Sequence, residues 1–227
     1  MANKEQTWGA CVYCGRQMTR GGMAKHLRTC PQREEMIEAF DRKPGKDDRL
    51  FHLQVQDAWG GDYWLHLEMV GSAALTELDD YLREIWLDCC GHLSQFSVGG
   101  WGGEPIPFEM KASRVFEPGL ELVHIYDFGT SSETLVKVVD ERKGKPTTSH
   151  PLVLMARNEP PEFTCMECKK EARWLCMECI YEDETSGTLC DKHAEAHPHD
   201  DYGGLFPIVN SPRMGMCGYE GPAEAPY

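Results

Sequence analysis

Residues 50–70 read LFHLQVQDAWGGDYWLHLEMV, and the chain continues to residue 96 as GSAALTELDDYLREIWLDCCGHLSQF. In LFHLQVQ (50–56) and YWLHLEMV (63–70) apolar and polar residues alternate, the period-two mark of a half-buried strand. Between them DAWGGD offers the Gly and Asp of a hairpin connection. The period then changes. Ala74, Leu75, Leu78, Leu82, Ile85, Trp86 and Cys89 recur at three- and four-residue steps, the stripe of an amphipathic helix. Asp79 and Asp80 lie near the positive end of that helix.

Further strand patterns follow: HLSQFSV (92–98), ELVHIYDF (121–128), ETLVKVVDER (133–142) and HPLVLMAR (150–157). Two strands, a helix and several more strands with short turns predict an α+β domain over residues 49–157. Its sheet is expected to be largely antiparallel, with one main covering helix. The flanks differ in composition. Residues 1–46 hold a Cys/His cluster and a helix-prone run, MAKHLRTCPQREEMIEAF, before the breaker DRKPGKDD. After the Pro-rich NEPPEF, residues 163–200 are dense in Cys and His, and residues 201–227 form a Gly/Pro-rich tail. That tail either folds back on the zinc module through Leu205, Phe206, Ile208 and Val209 or hangs loosely.

The chain has 227 residues, is 41% hydrophobic and carries a formal net charge of −14. No apolar run approaches the roughly 20 residues of a membrane helix, and MANKEQTWGACVYC has no secretory apolar stretch. We therefore expect a cytoplasmic protein with reduced thiols and no membrane partner. Eleven cysteines in such a compartment point to metal more than to disulfides. The acidic charge disfavours broad coating of nucleic acid.

Cys11, Cys14, His26 and Cys30 have the form C-x2-C-x11-H-x3-C. The first pair suits a knuckle; His26 and Cys30, four apart, are expected on one helix face. Together they make a tetrahedral zinc set, with Met18 and Met23 as a small apolar core. The segment resembles a ββα finger of the three-Cys, one-His variety. Lys4, Arg16, Arg20, Lys25, Arg28 and Arg33 make it locally basic. Arg16, Arg20, Lys25 and Arg28 are thus candidate nucleic-acid contacts. The alternative is a solvated basic face on a structural or protein-binding finger. One finger reads only about three base pairs, which favours that alternative.

In the C-terminal cluster Cys165, Cys168, Cys176, Cys179, Cys190, His193, His197 and His199 form four close pairs, and CMEC occurs twice. Eight ligands make two closed, structural sites, so three zinc ions are expected in all. The pairing is either sequential or interleaved; the seven residues between the first two knuckles suit a cross-brace. The other reading is a four-Cys ribbon followed by a His-rich tail. The stretch resembles the B-box type of zinc module. That resemblance implies one zinc on Cys165, Cys168, Cys190 and His193 and another on Cys176, Cys179, His197 and His199. Asp183, Asp191 or Asp200 is a possible replacement for the last histidine. Cys89, Cys90 and Cys217 are left over. The first two are expected to be buried thiols, and Cys217 is a candidate extra ligand outside the three zinc sets, with no pairing partner near it in sequence.

The middle region lacks G-x-S-x-G, P-loop and H-E-x-x-H patterns. His52, His66, His92, His124 and His150 read as ordinary histidines in or beside strands. The run from Leu50 to Phe96, ending HLSQF, and YDFGTSSETLVKV (126–138) resemble the plasmid pRiA4b open-reading-frame-three-like family, also labelled transposon-passenger TnpR-like. The resemblance implies an α+β domain of unsettled function, linked to mobile elements or fused to zinc modules. The family motif continues Y-D-F-G-D-x-W-E-H. Here Thr130, Ser132 and Thr134 replace its Asp, Trp and His, while Glu133 is kept. His92, Asp127 and Glu133 would be the remnants of any reaction site.

Three functions follow as expectations. The first is a non-enzymatic zinc protein that docks a protein or peptide partner. The second is a nucleic-acid-associated factor working through the basic finger. The third is an enzyme built on His92, Asp127 and Glu133.

Overall fold

Regular structure begins with a hairpin, β1 (Trp8–Cys11) and β2 (Gln17–Thr19), followed by helices α1 (Arg20–Leu27) and α2 (Pro31–Asp41). These come from a computed structural model that describes residues 7–227; Lys4 and its neighbours in the first six positions lie outside the described residues. The single helix-prone run is split in two. Pro31 opens α2, and the residue before a proline is pushed out of the helical region. Cys30 accordingly sits at φ −74°, ψ 114°. His26 therefore lies on α1 and Cys30 caps α2, where one continuous helix was expected to carry both.

The alternating segments form β3 (Asp48–Asp57) and β4 (Trp64–Val70), antiparallel with Leu53 opposite Leu67. Helix α3 (Leu75–Leu82) runs on into a π-helical turn, Arg83–Leu87. Next come β5 (Ser94–Ser97), β6 (Pro105–Ile106), α4 (Ala112–Val115), β7 (Glu121–Tyr126), β8 (Ser132–Gly144) and β9 (Leu152–Asn158). The nine strands lie in the order β2-β1-β9-β4-β3-β8-β7-β5-β6, and their pairs are antiparallel. The N-terminal hairpin thus extends the central sheet, because β1 pairs with β9. Gly9 permits that approach: a Cβ there would lie 2.1 Å from the Arg157 carbonyl oxygen and 2.6 Å from the Trp64 ring.

Alternation along β4 sorts its side chains between two faces. Leu65, Leu67 and Met69 join Leu75, Leu78, Leu82, Ile85 and Trp86 of α3 and its π turn in the main core. Trp64, His66 and Glu68 serve the N-terminal segment instead. Trp64 packs with Cys11, Met23 and Leu27, so the N-terminal segment shares its small core with the sheet. Arg33 on α2 and Arg142 on β8 both grip Glu68, each with a 2.6 Å contact. The helices are therefore several: α3 on one face, α1 and α2 reaching the other. Buried His124 on β7 also bonds Asp79 of α3 at 2.6 Å.

The C-terminal part builds a second sheet, β11-β10-β12, from β10 (Trp174–Cys176), β11 (Thr188–Leu189) and β12 (Leu205–Pro207). Short helices α5 (Met177–Tyr181) and α6 (Asp191–Ala194) connect and flank these strands. Strand β12 belongs to the tail, which is firmly attached. Leu205 faces Cys176 and Phe206 faces Leu175 across β10. Beyond β12 the chain crosses to the nine-stranded domain. Asn210 exchanges hydrogen bonds with Asn158, Ser211 Oγ donates to the Trp86 carbonyl, and Tyr227 stacks on His150.

Candidate metal centres

Two of the three C-x2-C knuckles share one local structure. At the first, Cys11 N–H donates to the Arg16 carbonyl and Gly15 N–H returns to Cys11, with Gly15 at φ +70°. At the second, Cys165 N–H donates to Lys170 and Lys169 N–H returns to Cys165, with Lys169 at φ 61°. The same turn places both sulfurs of each pair on one side. In the third, Cys176 Sγ caps α5 by accepting the Cys179 N–H at 3.4 Å.

These knuckles meet their partners in three groups of four. Cys11, Cys14, His26 and Cys30 converge; so do Cys165, Cys168, Cys190 and His193, and Cys176, Cys179, His197 and His199. Within each group every ligand atom lies within 4.8 Å of the others. The C-terminal pairs are thus interleaved in space. Zinc–sulfur bonds of about 2.3 Å in a tetrahedron put sulfurs about 3.8 Å apart, and sulfur and nitrogen slightly closer. Cys11 and Cys30 sulfurs are 4.0 Å apart, and those of Cys168 and Cys190 3.7 Å. Sulfur-to-imidazole separations are 3.2 Å for Cys14–His26, 3.3 Å for Cys165–His193 and 3.4 Å for Cys179–His197. A disulfide needs about 2.05 Å, and all eleven cysteines are free.

The donor chemistry fits a thiophilic cation. Burial lowers the pKa of His26 and of His197, which keeps each imidazole in the neutral, ligating form. The thiols vary. Burial pushes Cys11 up to about 11 and Cys179 up to about 12. At Cys165 burial also opposes ionisation, but backbone hydrogen bonds and His193 outweigh it and bring the thiol to about 6. A bound cation deprotonates such thiols outright.

A fourth group lies outside these three: Cys89, Cys90, His92 and Cys217. This corrects the expectation of buried thiols, since Cys89 is only half-buried and Cys90 is exposed. The vicinal cysteines end a π turn rather than an α-helix, and that turn carries them to the surface. The sequence signal for the group was weak, a C-C-x-H run with its last member far downstream.

The remaining candidates are dispersed. His92 Nε2 lies 3.5 Å from Asp127, but Glu133 instead accepts the Trp101 indole N–H at 3.1 Å. His52 and His66 bond each other at 2.8 Å. Of the four basic candidates, Arg16, Lys25 and Arg28 are exposed and Arg20 is half-buried. Arg20 donates to the Gly61 carbonyl, and Arg28 pairs with Asp140 while donating to Val139.

The fold and these clusters define an α+β protein with several Cys/His sites able to hold metal. No family model matches the sequence, and no curated protein is similar to it. Among solved structures, a protein of unknown function, MM3350, from Methanosarcina mazei Go1 is similar at 17% identity and a TM-score of 0.39. That likeness covers 46% of this chain and 66% of the other. Among the described residues, no helix is long and apolar enough to cross a membrane.

Proposed function

We propose that this is a non-enzymatic zinc-binding protein in which three structural zinc ions hold the N-terminal finger and the C-terminal module in shape. One observation carries this reading: each of the three groups brings four Cys/His ligand atoms within 4.8 Å of one another. Four protein ligands fill a tetrahedral zinc and leave no position for water or substrate. The interleaved C-terminal pairing supports a cross-brace module of the B-box kind. The pRiA4b-like reading of residues 49–145 is part of the same proposal and rests on sequence motifs. Limited proteolysis of the full chain with and without a strong chelator tests it. Cleavage within residues 163–200 should appear only after chelation; an unchanged pattern counts against structural zinc.

The zinc-held scaffold would serve to dock a protein or peptide. Trp59 is 80% exposed, and the exposed rings of Trp101 and Phe128 pack edge-to-face at 5.5 Å. Exposed aromatic side chains are the usual anchors of interfaces. With a net charge of −14, the partner chemistry favoured is a basic, apolar peptide. Tryptophan fluorescence titration with such peptides should report binding that W59A/W101A loses. Equal binding by that variant contradicts this part.

The alternative is a nucleic-acid-associated factor linked to mobile elements, acting through Arg16, Arg20, Lys25 and Arg28. The intramolecular contacts of Arg20 and Arg28 weigh against it. Gel-shift of short DNA and RNA that disappears on charge reversal of Arg16 and Lys25 would favour it.

A further inference from the structure

We propose that Cys89, Cys90, His92 and Cys217 form a fourth site for a thiophilic divalent cation such as zinc, clasping the tail to the nine-stranded domain. Their ligand atoms lie within 4.8 Å of one another, as in the other three groups. Cys90 Sγ is 3.8 Å from both Cys89 Sγ and Cys217 Sγ. His92 Nε2 is 2.9 Å from Cys90 Sγ and 3.4 Å from Cys217 Sγ. Three sulfurs and one imidazole nitrogen within reach of one point supply the donor set of a four-coordinate shell, with His92 closer to Cys90 than tetrahedral spacing and needing a small outward shift to bind.

The backbone is bent to make the group. Gly91, at φ +75°, turns the chain so that Cys90 and His92 face the same point. Cys217 lies at φ 50°, close to the left-handed Gly215 and Gly218. A non-glycine residue in that region costs on the order of 1 kcal/mol. Glycine would relieve that cost; the cysteine standing there brings its thiol to the cluster instead.

The surroundings steady the ligands. Buried Arg213 donates to Cys89 Sγ at 3.4 Å, and Tyr126 Oη accepts the His92 backbone N–H at 3.2 Å while donating to Asp88 at 2.9 Å. Three thiolates and a neutral imidazole leave a dication site one unit negative, and Arg213 faces that charge. Outer contacts of this kind orient metal ligands. Asp127 Oδ2 stands 3.5 Å from His92 Nε2, inside the same polar shell. Each of the other three groups has at least two buried ligands; this one has none. Its cation is therefore the one that solvent reaches first, and the one a mild chelator removes first.

The test compares the full-length protein with its C90S/C217S variant after equilibration with zinc and gel filtration. Both substituted side chains are exposed, so the substitutions remove no buried packing. Elemental analysis should find one metal fewer per chain in the variant. In wild type, a thiol reagent should modify Cys90 and Cys217 only after chelation. Equal metal content in the two proteins, immediate labelling of both thiols, or a native Cys90–Cys217 disulfide overturns the site. The outcomes also separate this site from the three structural ones. Three metals in both proteins removes the fourth site alone, one in wild type and none in the variant removes the other three, and none in either removes all.

Discussion

Arg213 and Asp127, 86 residues apart in sequence, form an ion pair at 2.7 Å in which the arginine side chain is fully buried. The same guanidinium donates to the Thr130 carbonyl and to Ser132 Oγ, each at 2.9 Å. It locks the tail against the connection between β7 and β8. Arg157 adds to this from β9, donating to the carbonyls of Ala223 and Asn210.

Removing one member of a buried pair leaves the other charge without compensation. Arg213→Met should therefore destabilise the protein by about 3–5 kcal/mol, seen as a lower urea midpoint. The segment after Asn210 should become sensitive to protease. A loss below about 1 kcal/mol, the range of exposed pairs, would mean that the pair does not hold the tail.

Glu68 makes a parallel case on the opposite face. Burial alone would raise its pKa, but Arg142 and Arg33 outweigh that effect and lower it. Glu68→Gln removes the charge from between two arginines and should cost about 3 kcal/mol. Arg33→Ala should cost less, because Arg142 keeps a two-bond grip on the carboxylate. The Arg33 change loosens α2 while leaving the Arg142 contact in the sheet intact, so in that variant hydrogen exchange should rise in residues 31–41 more than in the sheet. Uniform change across both regions would contradict this.

A pH dependence follows from the buried histidines. His66 donates from Nε2 to the Arg20 carbonyl and accepts from His52 at Nδ1, which requires a neutral His66 ring. Burial pushes His66 down to about 4; burial, with His66 and nearby arginines, holds His52 well below its ordinary value. Unfolded histidines titrate near 6.5, so below that pH the unfolded chain binds more protons. Stability is complete above about pH 6.5 and falls as pH drops toward 4, by up to about 1.4 kcal/mol per pH unit for each histidine. Urea unfolding at pH 7.5, 6.5 and 5.5 should give a steeper fall for wild type than for H66Q. Equal slopes would contradict the neutral pair.

The readable part of this fold is what local pattern encodes. β3, β4 and β8 lie where apolar and polar residues alternate, because one face of each strand meets α3. The twelve candidate ligands of the three groups are legible because each belongs to a closely spaced Cys/His pair. The split at Cys30–Pro31 also had a local cause, the proline itself. What could not be read depends on tertiary packing. The pairing of β1 with β9 involves a strand of four residues, too short to carry a periodic signal. Cys217 meets His92 across 125 residues, and nothing in the tail's Gly-rich sequence marks its destination. Arg213 lies in a Gly/Pro-rich segment without strand or helix pattern, and no local signal marks it as the wholly buried side chain it is.

In the function proposed above, zinc holds both ends of the molecule in shape. Elemental analysis of the native full-length protein, purified without added metal or chelator, tests it most directly. Zinc is expected at three equivalents per chain from the closed groups, rising to four when the surface group is also filled. Two equivalents would point to a single ribbon site in the C-terminal module, and protein free of zinc would contradict the claim.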